Sequence, residues 1–197
     1  ESQQKKKQKG SYNPFYVKKE GAGQVVLTGC PNTGKSALVG TLTRAKVKVA
    51  DFPFTTSLPE AGMMRYEDIW IQLVDTPPFT SDNIPTGLTG TLRQADALLL
   101  VIDLSTDDCL EQLETTLELL TEKELIDPSG ENPIALPYLL LGAKADLENS
   151  ADNLALLQEL RPEVEIIPVS ICHDLTSLQQ KIFSLLNIIR IYGKAPG

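Results

Sequence analysis

The residues with the most evident chemistry are Gly29-Cys30-Pro31-Asn32-Thr33-Gly34-Lys35-Ser36, which satisfy G-x-x-x-x-G-K-[ST] between an apolar run and a helical pattern. Glycines at that spacing let backbone N–H groups turn inward around phosphate oxygens, and the N-terminus of the helix beyond them adds partial positive charge. Lys35 is placed to reach the outer phosphates and the Ser36 hydroxyl to ligate Mg2+. Gly29, Pro31, Asn32, Thr33, Gly34, Lys35, Ser36 and Ala37 are the candidate phosphate-binding residues, and a nucleoside triphosphate is the implied ligand.

That loop does not by itself separate ATPases, nucleotide kinases and GTPases. The discrimination comes from residues farther along the chain. Asp75 ends the apolar run 71–74, the place of a carboxylate that holds Mg2+ through water. The stretch from Asp51 to Met63 carries Thr55, Thr56 and Pro59. Ala143-Lys144-Ala145-Asp146 and Ser170-Ile171-Cys172 each come after a later apolar run.

The elements that must position these residues are legible in the alternation of short apolar runs with amphipathic stretches. Strands are expected at 24–29, 63–66, 69–74, 97–103, 138–143 and 164–170, the second and third turned at Glu67 and Asp68. Helices are expected at 35–44, 109–123, 151–160 and about 174–188, with 76–90 irregular. Fully apolar strands alternating with helices predict a parallel sheet covered on both faces. The expected fold class is therefore α/β: a three-layer P-loop NTPase fold with a mostly parallel sheet of about six strands and one antiparallel strand from the hairpin.

Composition excludes several other classes. With 197 residues, 42% apolar and 22% charged, the chain suits one globular domain and is neither collagenous nor wholly disordered. No apolar run approaches the 18 or so residues needed to span a bilayer, so no membrane partner is expected. Three cysteines without CxxC spacing and one histidine argue against a disulfide framework or a zinc site. Net charge is −8, divided into +4 over residues 1–20 and −12 over the rest. An acidic body is a poor surface for nucleic acid, and no specific DNA partner is expected. Residues 1–21 read as a basic flexible leader, 22–190 as the domain and 191–197 as the start of a linker. The opening Glu1 suggests an excised fragment, and nothing at the start directs it to secretion.

The phosphate loop, the F-T-T-x-x-P-x-x-G run from Phe54 to Gly62, the Asp75 turn and the ending Arg190-Ile191-Tyr192-Gly193-Lys194-Ala195-Pro196-Gly197 occur in the order seen in one family. Over roughly residues 22 to 197 the chain resembles the G domain of the Obg-class GTPases. It is most similar to the branch of developmentally regulated GTP-binding proteins and their bacterial relatives with a C-terminal TGS domain, into which the last segment leads. The resemblance implies that GTP and GDP are the ligands and Mg2+ the metal. It implies Lys35 and Thr56 as catalytic residues, with Ser36, Thr56 and Asp75 holding the metal. Lys144 and Asp146 become the guanine clamp, and Ser170 and Ile171 complete the nucleotide set. An aspartate at 146 accepts from guanine N1–H and the exocyclic amine, which adenine cannot supply. Asn32 stands where several GTPases of the wider class help hold K+ beside the phosphates; as a residue type it equally suits a turn.

Three positions depart from the family. Ala143 replaces the amide of N-K-x-D, which would contact the base and brace the phosphate loop. Pro77 and Pro78 come after Asp75-Thr76, so D-x-x-G loses its glycine and the N–H offered to the γ-phosphate. Phe79 stands where many GTPases place a water-orienting glutamine. The implied function is Mg2+-dependent GTP binding with slow hydrolysis, used as a conformational switch in the cytoplasm. The implied partners are a ribosome or an activating protein, with the fragment itself a monomer. The alternative is a degenerate domain that binds nucleotide weakly as a scaffold; a phosphotransferase acting on a small acceptor is disfavoured because no arginine-rich lid comes after the third strand. Cys30 and Cys172 read as buried reduced thiols, His173 as structural or exposed, and Trp70 as packed.

Overall fold

A computed structural model describes residues 13–43, 58–80, 84–85 and 87–188. Thr55, Thr56, Arg44, the linker 191–197 and the lysines at 5–9 lie outside the described residues. The elements are β1 (Gln24–Thr28), α1 (Lys35–Thr43), β2 (Glu60–Tyr66), β3 (Ile69–Asp75), α2 (Leu88–Gln94), β4 (Ala97–Asp103), α3 (Cys109–Glu122), β5 (Tyr138–Ala143), α4 (Ser150–Leu160), β6 (Ile166–Pro168) and α5 (Thr176–Leu185).

The strands form one sheet in the order β2-β3-β1-β4-β5-β6. All neighbours pair parallel except β2 with β3, in register Glu60↔Asp75 to Tyr66↔Ile69. The expected α/β class, with one antiparallel strand, is what the chain adopts. Period-two alternation divides β4 between two cores: Leu98, Leu100 and Ile102 face α2, α3 and α4, while Ala97, Leu99 and Val101 face α1 and α5. Every residue of β4 is buried, as the apolar run from Ala97 to Ile102 requires. Full burial of each Leu contributes about 1.5–3 kcal/mol, so this central strand anchors both layers.

Three local differences from the sequence expectation have physical causes. α2 falls in a stretch given no helix, because its LTGTLRQ sequence has weak helix propensity and only Leu88, Thr91 and Leu92 are buried, too short a stripe to show a period. β6 keeps three of the seven residues expected, since it pairs only with β5 and ends at Pro168. Trp70 is 50% exposed rather than packed, opposite Arg65 on the edge strand.

Residues 13–20, within the expected leader, run against the domain. Thr91 Oγ1 donates to Phe15 O at 2.5 Å, Gln24 Nε2 to Val17 O at 3.2 Å and Gln72 Nε2 to Lys18 O at 3.1 Å. Lys19 pairs with Asp96 at 2.5 Å, and Phe15 and Val17 pack on the core. A run whose backbone carbonyls accept from buried amides is not set by its own composition, so the lysines of this stretch misdirect the reading.

Candidate functional site

β1 lies between β3 and β4, with the chain leaving to one side and returning on the other. That strand-order reversal is where open α/β sheets hold ligands, outside the carboxyl ends of the strands. All of the candidate residues that the structure describes emerge from that edge.

The loop 29–34 begins with Gly29 at φ 145°, where a Cβ would meet Val101 O at 2.4 Å. Only glycine fits, because the loop must pass over the backbone of β4. Asn32 sits at φ 62° and Gly34 at φ 94°. Asn tolerates the left-handed region better than most residues, which explains its presence at 32 on backbone grounds. Thr33 is buried and its hydroxyl donates to Cys30 O at 3.2 Å, so its side chain braces the loop. α1 starts at once, with Leu38 N donating to Gly34 O at 3.0 Å.

Lys35 is only 6% exposed, and its Nζ donates to Gly29 O at 3.0 Å and Cys30 O at 2.6 Å. Burial pushes its pKa down to about 8, while the charges of Asp75 and Cys30 pull it back up. Asp75 is 5% exposed; burial raises its pKa, opposed by the Ser36 hydroxyl and by Lys35. Ser36 Oγ donates to Asp75 Oδ2, and Asp75 Oδ1 is buried without a hydrogen-bond partner. A buried carboxylate oxygen left over beside a hydroxyl suits a hard, oxygen-seeking cation that keeps some of its water, so the residues present fit Mg2+. Thr76 Oγ1 donates to Leu27 O at 2.7 Å and fixes Asp75 against β1.

The second half of the site is a cavity of about 260 Å³ lined by Gly34, Ala37, Leu38, Ala143, Lys144, Asp146, Leu147, Val169, Ile171 and Cys172. Lys144 is at φ 59°, and the turn after β5 is closed by Leu147 N to Lys144 O at 3.0 Å and by Ser150 Oγ to Ala145 O at 2.9 Å. Asp146 is exposed, and its pKa is lowered first by a hydrogen bond from the Ser170 hydroxyl. Ser170 itself is buried and accepts from Cys172 N at 3.0 Å, which puts it beneath Asp146 rather than on the cavity wall. Lys144 Nζ pairs with Asp103 Oδ2. Burial would raise the pKa of Asp103, yet the Lys144 and Ser105 hydrogen bonds hold it below the usual carboxylate range.

Gly34, Ala37, Lys144, Asp146 and Ile171 therefore meet at one cavity, with Lys35 and Ser36 at the start of α1 and Asp75 at the end of β3 close to it. Pro31 lies on another cavity of about 260 Å³, shared with Cys30, Phe79, Thr80, Asp108, Glu111, Gln112 and Thr115. Phe79 is 1% exposed and packs with Val74, Ile84 and Leu88, so it belongs to the core more than to a reacting centre. Cys172 is exposed and Cys30 half-buried, against the expectation of two buried thiols. Leu38, Leu147, Val169 and Asp103 were missed as site residues. The first three are apolar and indistinguishable in sequence from core; Asp103, the only charge on a fully buried strand, carried a usable signal.

A family model described as 50S ribosome-binding GTPase matches residues 24–130. A GTPase Obg of Akkermansia muciniphila is 28% identical over 167 residues, which is 82% of this chain and 47% of that protein. A GTPase Obg of Metamycoplasma arthritidis is 31% identical over 171 residues, 82% of this chain and 39% of its own length. The chain thus spans about half or less of these curated relatives. A crystal structure described as a complex of SsGBP and GDP superposes with a TM-score of 0.63 at 25% identity, covering 84% of this chain and 50% of that one.

Proposed function

Since the chain belongs to the family described as 50S ribosome-binding GTPase, we propose that its site binds GTP with Mg2+ and hydrolyses it slowly to GDP and phosphate, as a conformational switch. The observation that supports this most is the continuity of two half-sites: a glycine-built phosphate cradle ending in Lys35 and Ser36, and a cavity of about 260 Å³ that shares Gly34 and Ala37 with it and reaches Asp146.

In this reading the backbone N–H groups of residues 33–37 receive the phosphates, and the Lys35 ammonium exchanges its loop carbonyls for phosphate oxygens. Ser36, Asp75 and Thr56 would hold the metal, which would supply charge neutralisation for the phosphates. Asp146 accepts from guanine N1–H and the 2-amino group, while the Ser170 hydroxyl orients it. Val169, Leu147 and Ile171 remove water from the faces of the ring.

The rate is proposed to be low because two contributions to the transition state are missing. Pro78 offers no N–H, and Phe79 is committed to the core. The arginines among the described residues are engaged elsewhere: Arg65 Nε donates to Glu67 O at 3.1 Å, Arg93 to Lys123 O at 2.9 Å, and Arg161 pairs with Glu114 and Glu163. An added arginine is typically worth about 10³ to 10⁵ in rate, which is the scale a ribosome or activating protein would supply. The chain acts as a cytoplasmic monomer, and no helix among the described residues is long and apolar enough to cross a membrane. Potassium beside Asn32 is a separable part of the proposal: hydrolysis should then be faster in potassium than in sodium, and Asn32→Ala should abolish the difference.

The test is single-turnover GTP hydrolysis by the chain alone and with ribosomes. Slow turnover that ribosomes accelerate supports the proposal. Nucleotide binding with no turnover in either condition would favour the scaffold reading, for which Ala143 and Pro78 are the specific observations.

A further inference from the structure

Lys144 contributes to the wall of the base cavity, but its ammonium is bound to a residue outside that wall. Asp103 ends β4 directly beside Ala143 in the parallel register, and Leu104 N donates to Ala143 O at 3.0 Å. The Asp103 side chain is 9% exposed, against 34% for Lys144. Both carboxylate oxygens are used: Oδ2 by Lys144 Nζ, and Oδ1 by Ser105 N at 2.9 Å and Ser105 Oγ at 2.7 Å. The Asp103 N–H donates to Gln112 Oε1 at 2.8 Å, which ties the strand end to α3. Both carboxylate oxygens of Asp103 are engaged within the cluster, and Asp103 meets the cavity through the lysine.

We propose that Asp103 is a positioning residue for base recognition: it holds the alkyl chain of Lys144 along the flank of the base cavity. This rests on the reading that the cavity takes a purine base. A lysine side chain is rotamer-rich, and holding it in one conformation is costly unless something fixes its end. An exposed ion pair would do little of this, but Asp103 is nearly buried and fully hydrogen-bonded, so its position does not drift. The left-handed backbone at residue 144 sets one end of the chain and the carboxylate sets the other. The neighbouring position makes this matter: Ala143 brings only a methyl group, whose Cβ lies 3.8 Å from where a Cβ on Gly34 would stand. With no amide at 143 to align the ring, lateral restraint of the base passes to Lys144.

The experiment is release of fluorescent N-methylanthraniloyl-GDP from the chain and from Asp103→Asn, Lys144→Met and the double variant. Asn at 103 keeps the acceptor for Ser105 and removes the charge; Met at 144 keeps the apolar stem and removes the ammonium. Each single variant should release the nucleotide about tenfold faster, the scale of one freed side chain, and the double no faster than either single. Asp103→Glu should recover part of the loss. If Asp103 only braced the β4–α3 turn, Asp103→Asn would accelerate release just as much on the Lys144→Met background, and that additivity would overturn the inference. Unchanged release from Asp103→Asn would overturn it too, with the base-site reading intact. Failure of the unsubstituted chain to bind the fluorescent GDP would overturn the base-site reading itself, and this inference with it.

Discussion

The phosphate end and the base end of the site are built by different means. At the phosphate end the chain's own backbone forms the cradle, with Gly29 and Gly34 at φ 145° and 94° and the first turn of α1 directly behind. At the base end side chains form the cavity, supplied by α1, by the turn after β5 and by the segment after β6. A backbone-built site needs fixed residue types at fixed spacing, because one added Cβ collides with the sheet. A side-chain-built site can trade one group for another, as Ala143 and the Asp103–Lys144 pair illustrate. The glycine loop therefore matches its motif in full, while the base end departs at Ala143 and the turn after Asp75, outside the loop, departs at Pro78.

The largest effect expected from this contrast is on Gly29. Gly29→Ala places a Cβ 2.4 Å from Val101 O at a φ that L-residues rarely adopt. It should cost about 3 kcal/mol or more of stability by chemical denaturation, the sum of strain and overpacking. A tolerated Gly29→Ala would show that the loop is less constrained than its geometry implies. Next comes Lys35→Ala, which should weaken GDP and ATP alike by about 2–3 kcal/mol in calorimetry, since a charged donor to phosphate is lost and the base is untouched. Selective weakening of GDP would blur the division between the two ends.

Asp146→Asn should act the other way, weakening GDP by about 2 kcal/mol while leaving ATP nearly unchanged, because only guanine presents two donors to the carboxylate. Equal loss for both nucleotides would place base recognition elsewhere. The smallest effect is a gain. Ala143→Asn puts an amide on the cavity wall and should tighten GDP by about 1 kcal/mol, the net worth of one hydrogen bond. No gain would mean that the Asp103–Lys144 pair already supplies what the amide would add.

The same division explains what the sequence reveals and what it hides. β1, β4 and β5 each hold a continuous apolar run and read directly as central parallel strands; β4 and β5 even keep the expected bounds. The glycine loop is legible because its residue types are forced by φ and by clearance. α2 is not legible, since tertiary burial of Leu88 and Leu92 holds a sequence with little helix propensity of its own. The docking of residues 13–20 is hidden for a related reason: its partners, Gln24, Gln72, Thr91 and Asp96, are distant in sequence. At the base end Lys144, Asp146 and Ile171 were legible only through the resemblance to a known family, which their positions after apolar runs allowed to be aligned. Leu147 and Val169 could not, because an apolar residue against a ligand and one against the core have the same chemistry. Asp103 was readable in principle, as a charge on a strand otherwise wholly apolar and buried.

The most direct test of the site as a whole is titration calorimetry of the chain with GDP, a non-hydrolysable GTP analogue and ATP in the presence of Mg2+. The two-ended site predicts that both guanine nucleotides bind, and that ATP, which shares the phosphate cradle but offers Asp146 no pair of donors, binds roughly 100-fold or more weaker, the scale of two lost hydrogen bonds to a charged group. Equal affinity for GDP and ATP, or heat from neither, would contradict it.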